Sequence, residues 1–151
     1  MQNYAEEYKA STEALLHLVS TLKSDDLDNK DHEGWTPRQV IHHLADSEAQ
    51  AYARLRRLIA EPGTSIQGYD EGLWAENKTL GYETEPIDSS LAVIKAVRQS
   101  SYELISRLTE EQLMNEGIHT ESGKYSVEKW LKTYTNHTLD HANQIREQLG
   151  K

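Results

Sequence analysis

The sequence contains no cysteine and only three prolines, and no run of about 18 apolar residues interrupts its polar character. Without cysteine the chain has no disulfide framework and no thiolate that could act as a nucleophile, so any metal must be held by nitrogen and oxygen ligands. Without a long apolar run it has no candidate transmembrane helix. The polar, acidic first residues are the opposite of a secretory signal, and we expect a cytoplasmic protein.

The chain also has little positive charge. It carries 16 Lys and Arg against 25 Asp and Glu, a formal net charge of −9. Such a surface repels nucleic-acid phosphates and anionic membranes, so we expect neither as a partner. The short basic segment 54–57 (RLRR) is too small to reverse this balance. We interpret it as the solvated face of a helix.

The 151 residues are expected to form one domain, residues 1–151, with its own core. Apolar residues at helical spacing predict four long helices, and the three prolines fall near their boundaries. The predicted helices cover residues 4–22, 37–60, 88–108 and 126–149. Four long helices with two long connections predict an all-α four-helix bundle, a fold that builds metal sites between facing helices.

The second helix has the clearest start in the chain. Thr36 is a good N-cap, Pro37 suits the first helical position, and Gln39 can complete a capping box. Trp35, before the cap, can pack on Val40 as a hydrophobic staple. The third helix is expected to bury a stripe of Leu91, Ile94, Val97, Leu104, Ile105 and Leu108.

The long connections carry two predictions. Residues 62–86 include the segment 69–76 (YDEGLWAE), which can form a short helix. A loop of this length is usually functional or a lid, and a plain surface connection remains the alternative. After a short helical turn at 109–113, residues 116–124 are predicted to be a polar loop without a strand.

Two of the seven histidines, His137 and His141, lie one turn apart in the predicted last helix, which places both imidazoles on the same side. This spacing alone is weak evidence, because a solvated helix face can carry such a pair by chance. Trp130, Tyr134 and Ile145 continue the pattern at steps of three or four residues. The pair therefore lies on or beside the apolar stripe.

A third histidine can come from the second helix. His43 shares a face with Val40 and Ser47, whereas His42 points about 100° away. We therefore expect His43 to face the bundle interior and His42 to be a rim or packing residue. Three neutral imidazoles bind Zn²⁺, Ni²⁺ or related divalent ions. They leave one position open for water or substrate, as in catalytic zinc sites.

Two carboxylates are candidates for a supporting role at this site. Asp46 and Asp140 can orient the imidazoles as outer acceptors, and the alternative for both is a solvent-exposed carboxylate. His17, His32 and His119 have no comparable context. The sequence contains neither a His-Glu-x-x-His motif nor a nucleophile elbow, which argues against a zincin or an α/β-hydrolase.

Three segments resemble the DinB-like superfamily. Residues 34–47 (GWTPRQVIHHLADS) are similar to its second-helix signature. Residues 68–76 (GYDEGLWAE) are similar to a family loop that bears tyrosine and tryptophan. Residues 137–141 (HTLDH) are similar to the histidine pair of its last helix. The match is closest to the branch that contains bacillithiol S-transferase and metal-dependent hydrolases. The resemblance extends over roughly residues 10–149.

The resemblance implies a bundle that holds a divalent metal, nickel or zinc, by His43, His137 and His141. It implies a thiol S-transferase, with a low-molecular-weight thiol and an electrophilic small molecule as partners, or a metal-dependent hydrolase. Tyr69 and Trp74 would then line the mouth of the substrate pocket. The alternative is a non-catalytic stress-response protein that binds a metal or a small ligand. A homodimer is consistent with the family, although no exposed apolar face requires one.

Overall fold

Four long helices account for most of the protein in the computed structural model, which describes residues 3–30 and 34–150. His32 lies outside the described residues. The long helices are α1 (Tyr4–Ser20), α2 (Pro37–Ala60), α4 (Asp88–Ile105) and α6 (Val127–Gln148). Shorter elements are a 3-10 helix (Ser24–Asp28), α3 (Glu71–Glu76), α5 (Glu110–Leu113) and the strands β1 (Ser65–Ile66), β2 (Glu116–His119) and β3 (Gly123–Ser126). The four predicted helices are all present, with ends shifted by up to three residues.

The start of α2 forms as its sequence predicts. The Thr36 hydroxyl accepts from the Gln39 backbone at 3.3 Å, and the Gln39 side chain accepts from the Thr36 backbone at 2.8 Å. Pro37 occupies the first turn, where its missing N–H is not needed. Trp35 packs against the apolar cluster that contains Val40. These local contacts fix where α2 begins and therefore where His43 lies.

The helices do not pack in the order of the chain. Helix α1 packs mainly against α4 and α6, and α2 packs mainly against the same two helices. Consequently α1 and α2 lie diagonally across the bundle, and the chain needs long connections to reach α2 and α6. This arrangement makes α2 and α6 neighbours. In the described ranges, no helix is long and apolar enough to cross a membrane.

A small three-stranded sheet covers one side of the bundle, and the prediction of a strand-free loop at 116–124 is wrong. β2 pairs antiparallel with β3 and parallel with β1. Gly123, with φ +78, allows the tight turn between β2 and β3. A Cβ at Gly117 would lie 2.5 Å from the Thr64 carbonyl oxygen, so glycine lets the chains approach. The tip of the hairpin holds the loop before α3, since Thr120 Oγ1 accepts from the Gly68 N–H at 2.9 Å.

The bundle centre contains a buried charge pair that the apolar pattern of α4 does not predict. Ile94 and Ile105 are buried as expected, whereas the other four residues of the predicted stripe are only partly buried. Arg98 is buried instead, pairs with Glu48 and donates to the Thr138 hydroxyl at 2.8 Å. Further bonds from Arg98 reach α1 at Tyr8 O, Ser11 Oγ and Thr12 Oγ1. One arginine thus links all four long helices.

Candidate metal centre

Three histidines from two helices converge at one end of the α2–α6 contact. His43 comes from α2, and His137 and His141 come from α6. The Nε2 atom of His137 lies 3.3 Å from that of His43 and 3.0 Å from that of His141. His43 is buried, and the other two rings are partly buried. The structure therefore brings together the three histidines to which the sequence pattern and the resemblance point.

Aromatic packing holds the three rings in place. The His137 and His141 rings are perpendicular, with centroids 4.4 Å apart. The His43 ring meets them edge-on, with centroids 4.8 Å from His141 and 5.2 Å from His137. Trp35 packs against His43 at 4.9 Å, and Tyr134 stands edge-on to His137 at 6.3 Å. These contacts restrict the imidazoles to orientations in which their Nε2 atoms face one another.

The surroundings keep the imidazoles of His43 and His137 neutral. Burial, followed by repulsion from His141 and then His137, lowers the pKa of His43 to about 3. Burial, followed by repulsion from His141 and then Arg98, lowers the pKa of His137 to about 4. Both rings are therefore uncharged at neutral pH, which is the form that binds metals. An Nε2 atom that carries no proton in the neutral ring has a lone pair that a cation can bind.

The donor set fits a divalent ion. Ligands of a tetrahedral zinc at 2.0–2.1 Å lie about 3.3–3.4 Å apart, close to the observed Nε2 separations of 3.0 and 3.3 Å. Gln144 Oε1 lies 2.7 Å from His141 Nδ1 and accepts its proton, which leaves the Nε2 lone pair free. The buried Nδ1 of His137 has no partner among the described residues, so packing alone sets that ring.

The structure places the two carboxylates considered as outer acceptors elsewhere. Asp46 accepts a hydrogen bond from the Tyr82 hydroxyl at 2.6 Å. Asp140 is exposed. The acceptor at His141 is Gln144, three residues later on α6. Sequence reasoning missed Gln144, although the same helical spacing that pairs the histidines also places it beside His141.

His42 is a packing residue, as predicted. It is buried, with Nδ1 2.7 Å from Ser90 Oγ and Nε2 2.9 Å from the Glu85 carbonyl oxygen. These contacts tie the end of the long connection and the start of α4 to α2. The bond from Tyr82 to Asp46 anchors the same connection one turn further along α2.

A cavity of about 640 Å³ runs along α2 on the C-terminal side of His43. It begins at Asp46, one turn after His43, and its wall includes Gln50, Arg54, Arg57, Gln67 and Trp74. Trp74 lines this cavity, and its role at the mouth of a substrate pocket stays a prediction. Tyr69 supports Trp74, with ring centroids 4.7 Å apart, and its hydroxyl lies beside Ser47. None of the three histidines is part of the wall of this cavity.

Comparison with known proteins now assigns the family. The sequence profile of the DinB superfamily matches residues 7–145. The chain belongs to the DinB superfamily. The DinB relative "Putative metal-dependent hydrolase OB0782" of Oceanobacillus iheyensis is 38% identical over 132 residues, which are 87% of this chain and 75% of that protein. "Putative metal-dependent hydrolase YfiT" of Bacillus subtilis is 31% identical over 135 residues, 88% of this chain and 75% of YfiT.

Solved structures confirm the DinB bundle. The structure of YfiT from Bacillus subtilis, described as "a probable metal-dependent hydrolase with an unusual four-helix bundle topology", superposes with a TM-score of 0.83 and 26% identity, covering 99% of this chain and 90% of YfiT. TT2238, a four-helix bundle protein, gives a TM-score of 0.63 at 20% identity, covering 95% of this chain and 94% of that one, and shows the fold alone. The predicted family and four-helix bundle are both confirmed.

Metal-free protein is expected to lose stability as the pH falls from 7 to 5. An unfolded histidine titrates near 6.5, whereas folded His137 has a pKa of about 4, so between these values the unfolded chain binds more protons. The free energy of unfolding should fall by up to about 1.4 kcal/mol per pH unit for each such histidine. Denaturant titrations at several pH values, in the presence of a chelator, measure this free energy of unfolding.

The matched variants for this experiment are His137→Gln and His17→Gln. The first removes a buried titrating group and should reduce the loss of stability in acid. The second removes an exposed histidine on α1 and should leave the pH dependence as in the wild type. If the free energy of unfolding fell equally steeply with pH in the wild type and in His137→Gln, a neutral, buried His137 would be contradicted.

Proposed function

We propose that this protein is a divalent-metal-dependent enzyme that acts on a small electrophilic molecule, most directly as a thiol S-transferase. The observation that carries the proposal is the convergence of three Nε2 atoms beside a cavity of about 640 Å³. The names of the relatives OB0782 and YfiT support metal dependence. Imidazole ligands suit both zinc and nickel, the two ions that the resemblance implies.

The residues of the chain divide the work of such a site. A divalent ion held there would supply a Lewis acid, which lowers the pKa of a thiol or water. His43, His137 and His141 would occupy three positions and leave one open for the incoming molecule. Trp35 packs against His43, and Trp74 lines the cavity along α2.

The transferase needs less help than the hydrolase in forming its nucleophile. In the described part of the chain, no carboxylate hydrogen-bonds to the three histidines, and Asp46 is engaged by Tyr82. Hydrolysis ordinarily uses a general base to activate water. A thiol ionises more readily than water and needs less help. Because the chain has no cysteine, the sulfur must come from a small-molecule thiol.

The same observation favours a second candidate function, a metal-binding or ligand-binding protein without turnover. A site without a carboxylate bonded to its histidines, as in the described residues, can still bind an ion and a small molecule without converting it. The two candidates share the metal centre and differ in catalysis alone. An assay of turnover therefore separates them.

Protein purified without an affinity tag is expected to carry or take up about one equivalent of divalent metal. It should consume a small thiol in the presence of a halobimane, and the rate should fall when metal is removed. Less than about 0.1 equivalent, with no uptake on reconstitution, would contradict the metal centre. Full metal uptake without any thiol consumption would support the binding protein instead of the transferase.

A further inference from the structure

Two arginines line the cavity along α2 without a carboxylate partner. Arg54 is partly buried and donates to the Tyr134 hydroxyl at 3.0 Å. It also donates to the Gln67 carbonyl oxygen and, at 3.4 Å, to Gln50 Oε1. Arg57 is exposed on the same wall. The ion pairs formed within residues 3–30 and 34–150 include neither arginine.

The other buried or partly buried arginines are satisfied differently, and Arg146 donates to Asn143 Oδ1 at 2.8 Å in the last turns of α6. Arg38 and Arg98 each pair with a carboxylate. Arg56 stacks on the Tyr52 ring, 3.3 Å from its centroid, and donates to Ser100 on α4. The basic segment is thus not one solvated face, because Arg54 and Arg57 turn to the cavity and Arg56 turns away. The chain has a net charge of −9, yet no carboxylate of the described residues forms an ion pair with Arg54.

The guanidinium of Arg54 retains hydrogen-bonding capacity. It has five N–H donors, and three of them have partners, all of them neutral. Withdrawing a cation from water without a counter-charge is unfavourable, and planar guanidinium groups bind carboxylates and phosphates in pairs of hydrogen bonds. An anion is therefore the chemical complement that this wall of the cavity lacks.

The cavity also has a direction. From Asp46 to Arg57 it follows eleven residues of α2, about 16 Å of helix axis. His43 lies just beyond the Asp46 end, and Asp46 itself accepts from Tyr82. Trp74 is also among the residues that line this cavity. Because arginine side chains on a helix lean toward its N-terminus, the cationic groups lie closer to the histidines than their Cα atoms do.

We propose that this cavity binds an elongated organic anion. Its carboxylate or phosphate lies against Arg54 and Arg57, and its apolar middle lies against Trp74. That its other end points to the three histidines rests on the proposed function. The anion binding does not, because it depends on residues outside the metal centre. The proposal restricts the substrate to small molecules with an anionic group about 10 Å from the reacting atom.

Matched probes test the charge requirement in metal-free protein. Naphthylacetate and naphthylacetamide have nearly the same shape and differ in charge, and naphthyl phosphate presents the second kind of anion. We expect calorimetry to show at least one of the anions binding about tenfold or more tightly than the amide, with the preference shrinking as salt is added. The tighter anion identifies the anionic group. Equal affinities for all three probes, or no binding of any, would overturn the proposal.

Neighbouring arginines provide matched variants. Arg54→Gln should remove the preference for the anion, and Arg57→Gln should reduce it severalfold while the amide affinity stays the same. Arg56→Gln makes the same change of charge two residues away, facing α4, and should keep the wild-type preference. An equal loss in Arg56→Gln would reveal a general charge effect and contradict the site. Arg57 is exposed, so its variant remains informative if Arg54→Gln does not fold.

The metal centre is tested separately in the same protein. His137→Ala should leave the preference for the anion intact while metal uptake is lost. If wild-type protein binds metal and consumes a thiol but does not distinguish acid from amide, the anion site is wrong and the proposed function stands. If it distinguishes the probes but takes up no metal, the proposed function is wrong and the anion site stands.

Discussion

His137→Ala is expected to weaken the binding of a divalent metal by more than a hundredfold, beyond the roughly 10–100-fold loss that follows removal of an outer partner. The Nε2 atom of His137 lies 3.0 Å from that of His141 and 3.3 Å from that of His43, so it is the central donor. Its removal leaves two ligands from different helices. Titration against a competing chelator measures the affinity, and thiol consumption should fall with it.

His42→Gln is the matched control for this prediction. His42 is adjacent to His43 and similarly buried, but its nitrogens contact Ser90 and Glu85. Its replacement should lower stability and leave the affinity for metal within a few-fold of the wild type. If His137→Ala kept the wild-type affinity, or if His42→Gln lost as much, the metal would have to bind elsewhere in the protein.

Features governed by neighbours in sequence could be predicted from the sequence. The start of α2 depends on Thr36, Pro37 and Gln39, all within four residues, and it forms as expected. The pairing of His137 with His141 depends only on the pitch of one helix. The choice of His43 over His42 needed one further step, the face that α2 turns to the bundle. Local geometry thus indicated the three histidines, and the family resemblance was needed to choose them as ligands.

Features that depend on distant parts of the chain could not be predicted. β2 forms partly because β1, some fifty residues earlier, supplies a parallel partner, and a polar segment of four residues gives no sign of this. Arg98 is buried because Glu48, Thr138 and Ser11 meet it from three other helices. Hydropathy assigns a charged residue to the surface unless its partner is known.

The same reason explains why the sequence left two alternatives open for Asp46 and Asp140, an outer acceptor or an exposed carboxylate. Asp46 and Asp140 have the right helical spacing to reach an imidazole, but spacing does not show what else competes for a carboxylate. Tyr82, from the long connection, takes the oxygen of Asp46 at 2.6 Å. The family resemblance assigns ligands and leaves such partners open. The partner of Asp46 thus comes from the connection between α2 and α4, which helical spacing within α2 does not reveal.

Arg98→Met is expected to destabilise the metal-free protein by about 3–5 kcal/mol. The substitution keeps an unbranched side chain but leaves Glu48 buried without its partner, and it removes the donors that join α1, α2 and α6 to α4. Denaturant unfolding measures the change. Arg38→Met makes the same substitution in the ion pair with the exposed Asp28 and should lose only about 1 kcal/mol.

A double variant separates the buried charge from the lost packing. If the main effect of Arg98→Met is an unpaired carboxylate at Glu48, replacing Glu48 with leucine in the same chain should restore much of the stability, because apolar replacements of buried ion pairs are often neutral. The two changes would then be strongly non-additive. Additive losses would show that the bonds from Arg98 to α1 and α6 matter more than its charge. In that case the arginine serves as the structural tie of the bundle, and the position of His137 beside Thr138 depends on it.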